Sequence, residues 1–456
     1  MTSIHNTYSL CPVCLTRLPA MILKREHNYF LEKTCREHGL FSTVIWRGDT
    51  PALEDWGDYT PPSEPQETMP DCPHDCGLCA GHLRETCCAL VEVTDHCNLK
   101  CPICFAQSGE VAGISIKADP TVKELEKIFR DLTSRGRTFV QLSGGEPTVR
   151  GDLPEIVRTA KAMGCETIQL NSNGLRLGNE KSYARELAEA GLSFVFMQFD
   201  GTKDTIYEKL RGRPLLAEKL AAINACAEAR LGVALVPTIV PGVNDDNIGD
   251  MLNFAIANSP AVRGVHFQPV SYFGRYPSYP APPMNENRMT LPEILRAMER
   301  QTDGIVKVTD LLPSACDHPR CGFHGDFVVL PDGVLGRLTP EPQTSCCGNI
   351  DAATDNADNA HIKNRKFVAR RWTRQADEVK DESCCCSSAS EFTTTAPDLD
   401  VFLNRVKSHG FTITAMAFQD AWTVDLERLR RCSLHVYKNG RVVPFCANYL
   451  MAGNTV

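Results

Sequence analysis

Two kinds of hydrophobic pattern alternate between residue 89 and about residue 302. Short apolar runs are typical of buried strands, and the longer segments between them repeat apolar residues every three or four positions, as amphipathic helices do. In the first such segment Leu125, Ile128, Phe129 and Leu132 form one apolar stripe. The alternation predicts an α/β fold, a parallel sheet curved into a partial (β/α)6 barrel with its chemistry at the carboxyl ends of the strands.

The predicted elements follow from this pattern. The six predicted strands are Ala89–Thr94, Thr138–Ser143, Glu166–Asn171, Ser193–Asp200, Gly232–Val240 and Gly264–Val270. The helices predicted between them are Thr121–Ser134, Leu153–Met163, Tyr183–Ala190, Leu215–Ala229 and Asn247–Ala257. Outside them, short strands are predicted at Tyr29–Thr34, Phe41–Trp46, Ser433–Tyr437 and Arg441–Phe445.

We therefore expect four parts in the chain. Residues 1–60 form a small zinc-ribbon or rubredoxin-like module, and residues 61–88 form a cysteine-rich segment. The barrel occupies residues 89–305, and residues 306–456 form a cysteine-rich α+β domain. Proline and acidic residues between residue 49 and about residue 70 predict an extended linker.

Charge and hydropathy limit the partners of the protein. A net charge of −8 gives no basic surface for nucleic acid and no polybasic membrane patch. The N-terminal residues lack the pattern of a signal peptide, and no apolar run approaches the roughly 20 residues that span a bilayer. We expect a cytoplasmic protein with no transmembrane segment, which leaves peripheral membrane contact open. In that compartment the 22 cysteines, which fall in groups, indicate metal sites rather than disulfides.

The cysteines directly after the first barrel strand are the central feature. Cys97, Cys101 and Cys104 have C-x3-C-x2-C spacing. Three thiolates on one loop can hold three corners of a [4Fe–4S] cluster and leave the fourth iron without a protein ligand. The alternative is a closed zinc or ferredoxin-type site, but zinc knuckles usually pair C-x2-C motifs and ferredoxins use C-x2-C-x2-C runs.

The N-terminal module carries a different ligand pattern. Cys11 and Cys14 form a C-x2-C knuckle, and Cys35 and His38 form a C-x2-H second half. Together they predict a closed, tetrahedral, structural site, and the histidine favours zinc over iron. Alternatively, His38 is an ordinary loop histidine and the fourth ligand comes from elsewhere.

A second C-x3-C-x2-C run predicts an auxiliary [4Fe–4S] cluster. It consists of Cys72, Cys76 and Cys79, and either Cys87 or Cys88 can supply the fourth thiolate. We assign Cys87, because Cys88 begins the first barrel strand and free cysteines are often simply buried.

The C-terminal part predicts another auxiliary cluster. Its expected ligands are Cys316, Cys321, Cys432 and Cys446, which lie near predicted strands. Two other groups compete for this role, the pair Cys346–Cys347 and the triplet Cys384–Cys386.

The loop Cys97–Phe105 and the segment Gly144–Pro147 together resemble the radical S-adenosylmethionine (SAM) superfamily. In that superfamily the open iron chelates SAM, and cluster reduction releases a 5′-deoxyadenosyl radical. The superfamily usually has an aromatic residue before the third cysteine, whereas here Ile103 takes that place and Phe105 follows. The departure points to a subfamily.

The resemblance also implies which residues contact the cofactor or substrate. These are Gly144, Gly145, Glu146, Asn173, Asp200 and Gln268. It places the first three at the SAM amino group, with Asn173 and Asp200 near the ribose and carboxylate and Gln268 on the substrate side. Asn173 and Asp200 also follow strands, where ordinary turn chemistry is an alternative explanation.

Most of the chain is similar to one branch, the tetraether lipid synthase-like enzymes. The segments that carry this resemblance are Cys72–Cys79, Glu92–Phe105, Gln198–Gly201, Val265–Arg275, Cys316–Cys321, Asp425–Arg428 and Pro444–Cys446. The branch implies a SAM-binding cluster, two auxiliary clusters, one structural zinc or iron, and a flavodoxin- or ferredoxin-type reductant.

The resemblance predicts attack on an unactivated C–H bond, with carbon–carbon coupling of lipid chains as the leading function. A methyltransferase that acts on a pterin or related heterocycle is the second hypothesis. A non-catalytic iron–sulfur electron carrier is the third.

Overall fold

The computed structural model describes residues 2–57, 72–74, 76–108, 118–276, 285–314, 316–338, 372–373 and 397–452. Two predicted features lie outside these residues, the cysteine groups at 346–347 and 384–386. Most of the predicted linker lies outside them as well. Its first part is packed, because Leu53 and Trp56 are buried and the Trp56 indole Nε1 donates to the Pro319 carbonyl at 3.1 Å.

The N-terminal module is a four-stranded antiparallel sheet in the order β1-β2-β3-β4. Its strands are Thr2–Leu10, Arg17–Arg25, Asn28–Cys35 and Gly39–Arg47. The last two were predicted and the first two were not. In β1 the buried positions include the polar residues His5, Thr7 and Ser9. Its inward face therefore lacks the alternation of apolar and polar residues that predicts a strand.

The barrel strands appear in the predicted order. They are β5 (Cys88–Thr94), β6 (Phe139–Gly144), β7 (Thr167–Ser172), β8 (Phe194–Gln198), β9 (Gly232–Val236), β10 (Thr238–Ile239) and β11 (Val262–Pro269). Their outer ends match the prediction within two residues. The fifth predicted strand is divided at Pro237, which has no N–H to donate. Strand β9 pairs with both β8 and β11, whereas β10 pairs with β11.

The five predicted helices of the barrel match their bounds within two residues. The helices in chain order are α1 (Val122–Ser134), α2 (Leu153–Ala162), α3 (Leu175–Asn179), α4 (Tyr183–Ala190), α5 (Asp204–Arg211), α6 (Leu216–Glu228), α7 (Ile248–Ala257), α8 (Leu291–Gln301), α9 (Pro397–His409), α10 (Leu426–Leu429) and α11 (Phe445–Ala452). The short helices α3 and α5 were not predicted. Helix α1 begins with a capping box between Thr121 and Glu124 and buries three residues of its stripe, Leu125, Phe129 and Leu132.

In the part of the chain that is described, no helix is long and apolar enough to cross a membrane.

The C-terminal strands extend the barrel sheet at both edges. They are β12 (Leu312–Pro313), β13 (Gly322–Val329), β14 (Leu335–Arg337), β15 (Gly410–Met416), β16 (Leu434–Lys438) and β17 (Arg441–Pro444). Strand β15 pairs in parallel with β11, and β16 pairs in parallel with β5. The boundary predicted at residue 305 therefore separates strands that belong to one 13-stranded sheet.

Candidate active site and metal centres

One cavity of about 430 Å³ lies inside the barrel sheet. Residues of β5, β11 and both flanking strands line it, so the sheet curves around this space. The three cysteines of the loop after β5, Cys97, Cys101 and Cys104, line it too. The Leu99 N–H lies 3.4 Å from the Cys97 sulfur. Three thiols on one loop beside a cavity fit a [4Fe–4S] cluster with one iron left open.

A segment after β11 holds the cysteine loop in place. Cys104 and Arg275 exchange two backbone hydrogen bonds of 2.8 Å, and the Arg275 side chain donates to the Cys101 carbonyl at 2.9 Å. Gly274 has φ = 72°, and a β-carbon there would collide with the Phe105 carbonyl. Phe105 itself packs edge-on against Tyr449 of α11, with 5.1 Å between ring centroids.

The glycine pair after β6 allows close packing against the same loop. A β-carbon on Gly144 or Gly145 would collide with the carbonyl of Thr94 or His96, respectively. The Gly145 N–H donates to the Thr94 carbonyl at 2.7 Å. Both glycines line the cavity, so the motif brings the end of β6 to the start of the cysteine loop.

Glu146 joins the ends of two strands. Its buried carboxylate accepts hydrogen bonds from the Thr148 N–H (3.1 Å) and hydroxyl (2.6 Å), the Ser172 hydroxyl (2.8 Å) and the Asn173 N–H (2.6 Å). Asn173 in turn donates from Nδ2 to Asn98 Oδ1 in the cysteine loop at 2.7 Å. The structure thus gives Glu146 and Asn173 positioning contacts that the motif alone did not predict.

Asp200 does not line the cavity but holds a residue that does. Its carboxylate, which has no exposed surface, accepts two hydrogen bonds from Arg211, at 2.7 and 2.6 Å. Arg211 lines the cavity and donates to the Ile103 carbonyl at 3.1 Å. The ion pair places a positive charge near Cys101 and Cys104, and the direct contact between Asp200 and the cofactor stays a prediction.

Lys219 is a second buried cation that the sequence analysis missed. Its ammonium donates to the Asn173 carbonyl at 2.5 Å and to the Gln198 side chain at 3.3 Å. Burial lowers the pKa of Lys219 to about 8. Its position in the sequence could have indicated this burial, because Lys219 lies on the same face of α6 as the buried residues Ala222, Ile223 and Cys226.

The predicted N-terminal metal ligands lie together. One ligand atom each from Cys11, Cys14, Cys35 and His38 falls within 4.8 Å of the other three. The Cys35 sulfur and His38 Nδ1 are 3.4 Å apart. Three thiols and one imidazole in this arrangement fit a closed tetrahedral ion.

We expect the variant Cys11→Ala to lose its N-terminal metal and most of its folding yield, because a structural ion contributes its binding free energy to folding. Metal content per chain and the thermal unfolding midpoint measure this. Cys165→Ala is the matched control, since Cys165 is equally buried but lies outside the site. Wild-type metal content in Cys11→Ala would contradict the assignment.

The predicted ligands of the auxiliary segment line two cavities. Cys72, Cys76 and Cys79 line a small separate pocket together with His82. Cys87 lies instead beside Cys316, where a hydrogen bond with that thiol and burial raise its pKa, and both residues line the main cavity. The reason is that the Cys87 N–H donates to the Ser433 carbonyl at 2.9 Å, which fixes it at the start of β16.

The remaining predicted ligands lie close together. Burial raises the pKa of both Cys432 and Cys446, and the nearby Cys321 thiol adds to each shift. The strand predicted to end at Phe445 ends at Pro444, and Cys446 therefore lies in the first turn of α11. Cys321, Cys432 and Cys446 thus lie close together, and Cys316 lies beside Cys87.

Comparisons with known proteins agree with this architecture. Residues 91–255 match the sequence profile of the radical SAM superfamily, and residues 3–47 match the HMPTM N-terminal zinc ribbon domain. A 7,8-dihydro-6-hydroxymethylpterin dimethyltransferase from Methanocaldococcus jannaschii is 32% identical over 97% of this chain and 92% of its own length. The chain belongs to the radical SAM superfamily. This radical SAM protein is accordingly an enzyme, which excludes the electron-carrier hypothesis.

Two further matches to this radical SAM enzyme cover only part of it. A probable GTP 3′,8-cyclase from Thermococcus kodakarensis is 30% identical over 43% of this chain and 63% of its own length. The crystal structure of Streptococcus suis SuiB covers 49% of this chain and 47% of that chain, with 17% identity and a TM-score of 0.39. None of these comparisons shows the tetraether lipid synthase branch.

Proposed function

We propose that this radical SAM enzyme methylates a reduced pterin or a closely related flat heterocycle. The relative from M. jannaschii, whose name states that activity, matches nearly the whole chain. The observation that carries the proposal is the chemistry of the cavity wall. This function is the second of the three hypotheses drawn from the sequence, and we prefer it to lipid coupling for the reasons that follow.

Six carboxamide side chains form part of the polar wall. The cavity-lining carboxamide residues are Gln141, Gln169, Asn171, Asn173, Gln198 and Gln268. Each carboxamide both donates and accepts hydrogen bonds, as does the edge of a pterin ring. A hydrocarbon chain offers neither, and an unpaired buried polar group costs about 1–3 kcal/mol. Such a wall favours a heterocycle over a lipid tail.

Aromatic rings close the inner end of the cavity, near the start of the strands. Phe139, Phe196 and Trp372 all line it, and the rings of Phe196 and Trp372 are 5.3 Å apart. Aromatic faces of this kind stack on flat rings, which adds about 0.5–1.5 kcal/mol beyond area burial. The cysteine loop lies at the opposite end, where the strands finish.

The residues of the site have different proposed roles. When bound, the cluster and SAM supply radical chemistry, and a flavodoxin- or ferredoxin-type protein is the proposed electron donor. The Glu146 network and the pair Asp200–Arg211 fix the loop that carries the cysteines. The carboxamides and aromatic rings orient the substrate and keep water out.

The test is product analysis by mass spectrometry. We would incubate the anaerobically reconstituted protein with reductant, 7,8-dihydro-6-hydroxymethylpterin and SAM that carries a deuterated methyl group. We expect a pterin heavier by one or two methyl groups, and the label shows whether SAM is the methyl donor. Unchanged pterin, together with joined lipid chains in extracts of an expressing host, would support lipid coupling and contradict the proposal.

A further inference from the structure

His266 is the histidine in the middle of β11 that faces the cavity. It lies directly opposite Thr414 in the parallel pairing of β11 with β15. Its Nδ1 is 2.7 Å from the Thr414 hydroxyl, so a strand from the C-terminal part fixes the imidazole. The ring also lies 5.4 Å from the ring of Phe196, which is part of the aromatic end of the cavity.

The second ring nitrogen of His266 is available to a ligand. Within the described part of the chain, Nε2 has no hydrogen-bond partner, and the residue lines the cavity. Burial lowers the pKa of His266 to about 4, which leaves the imidazole uncharged at neutral pH. A neutral imidazole held through Nδ1 presents a single donor or acceptor at Nε2.

The charged groups of the described cavity wall are already engaged. They are Glu146, Arg211 and Asp317. Glu146 accepts the four hydrogen bonds given above, and Arg211 pairs with Asp200. Asp317 accepts from the Ser433 N–H at 2.7 Å and from its hydroxyl at 2.8 Å. Among the described residues of this wall, no charged side chain is left to pair with a charged ligand.

We infer that this cavity binds an uncharged nitrogen heterocycle whose hydrogen-bonding edge contacts His266 Nε2, with the imidazole positioned by Thr414. The inference rests on the proposed function and narrows it. The substrate is the free alcohol of a pterin-like ring and not its phosphate ester. A phosphate carries close to two negative charges, and burying them without a cation is strongly unfavourable.

Calorimetric titration of the reconstituted protein tests both parts. The probes are 7,8-dihydro-6-hydroxymethylpterin and its phosphate ester, and SAM is titrated separately as a measure of an intact site. We expect the ester to bind at least about tenfold more weakly than the alcohol. His266→Ala should weaken binding of the alcohol by roughly tenfold to a hundredfold, the range of a lost buried hydrogen bond, with SAM binding unchanged.

Two further variants keep the test decisive. Thr414→Val removes the hydrogen-bond partner of His266 Nδ1 but retains the shape of the side chain. It should weaken binding of the alcohol by a smaller factor than His266→Ala does, and it keeps the inference testable if His266→Ala folds poorly. His27→Ala is the control, because that imidazole is exposed at the surface. Equal affinity of wild type and both cavity variants, or equal affinity for alcohol and ester, would overturn the inference alone. Failure of the wild type to bind either pterin would overturn the proposed function with it.

Discussion

Replacing Cys97 with alanine will abolish reductive cleavage of SAM. The three cysteines of the loop after β5 supply the only thiols of the predicted SAM cluster motif, and two thiolates cannot hold a cube that is already open at one corner. The measurement is 5′-deoxyadenosine formed per enzyme under reducing conditions, together with iron content per chain. We expect product at the level of a reaction without protein, and a loss of about one cluster's iron.

A matched cysteine variant separates this loss from general damage. Cys226 is fully buried in α6 but does not line the cavity, so Cys226→Ala removes a buried thiol without touching the motif. It should retain SAM cleavage. If Cys97→Ala also retained cleavage, the assignment of Cys97, Cys101 and Cys104 to the SAM cluster would be wrong.

Arg211→Ala is expected to cost about 3–5 kcal/mol of stability. The side chains of Arg211 and Asp200 are 5% and 0% exposed, and their charges pair at 2.6 Å. Removing the guanidinium leaves the Asp200 carboxylate buried without its counter-ion, and it also removes the hydrogen bond to the Ile103 carbonyl. We would measure the denaturant midpoint by circular dichroism, and the iron content, since the loop loses a support.

The neighbouring Arg213 provides the control. It pairs with Glu218 at 2.7 Å, but these side chains are 46% and 27% exposed, so Arg213→Ala should cost at most about 1 kcal/mol. The double variant Asp200→Asn/Arg211→Ala should recover part of the loss, because it leaves no buried charge unpaired. Equal denaturant midpoints for Arg211→Ala and Arg213→Ala would show that the buried ion pair does not contribute the predicted free energy to stability.

The sequence was sufficient where structure depends on local pattern. Helix α4 has the predicted bounds, Tyr183–Ala190, because its apolar period and capping region lie within a few turns. The N-terminal ligand set was equally accessible, since two short spacings place Cys11, Cys14, Cys35 and His38 on adjacent turns. The six strands of the barrel were identified because buried parallel strands are continuous apolar runs.

The rest depends on contacts between distant segments. Nothing near Cys87 in the chain indicates that it lies beside Cys316 and lines the main cavity. In the same way, Arg211 acquires its importance from Asp200 and from the Ile103 carbonyl, which belong to other elements. A buried charge has no periodic signature, so its partner must be seen before its contribution can be assigned.

The parallel pairing of β15 with β11 and of β16 with β5 has a consequence for how the protein is made. During synthesis the barrel strands leave the ribosome long before residues 410–438, which cover both of their outer edges. Until then β5 and β11 expose unpaired backbone groups, the kind of edge at which chains associate wrongly. The cavity also lacks Thr414 over that interval, so its wall is complete only after β15 has been synthesised.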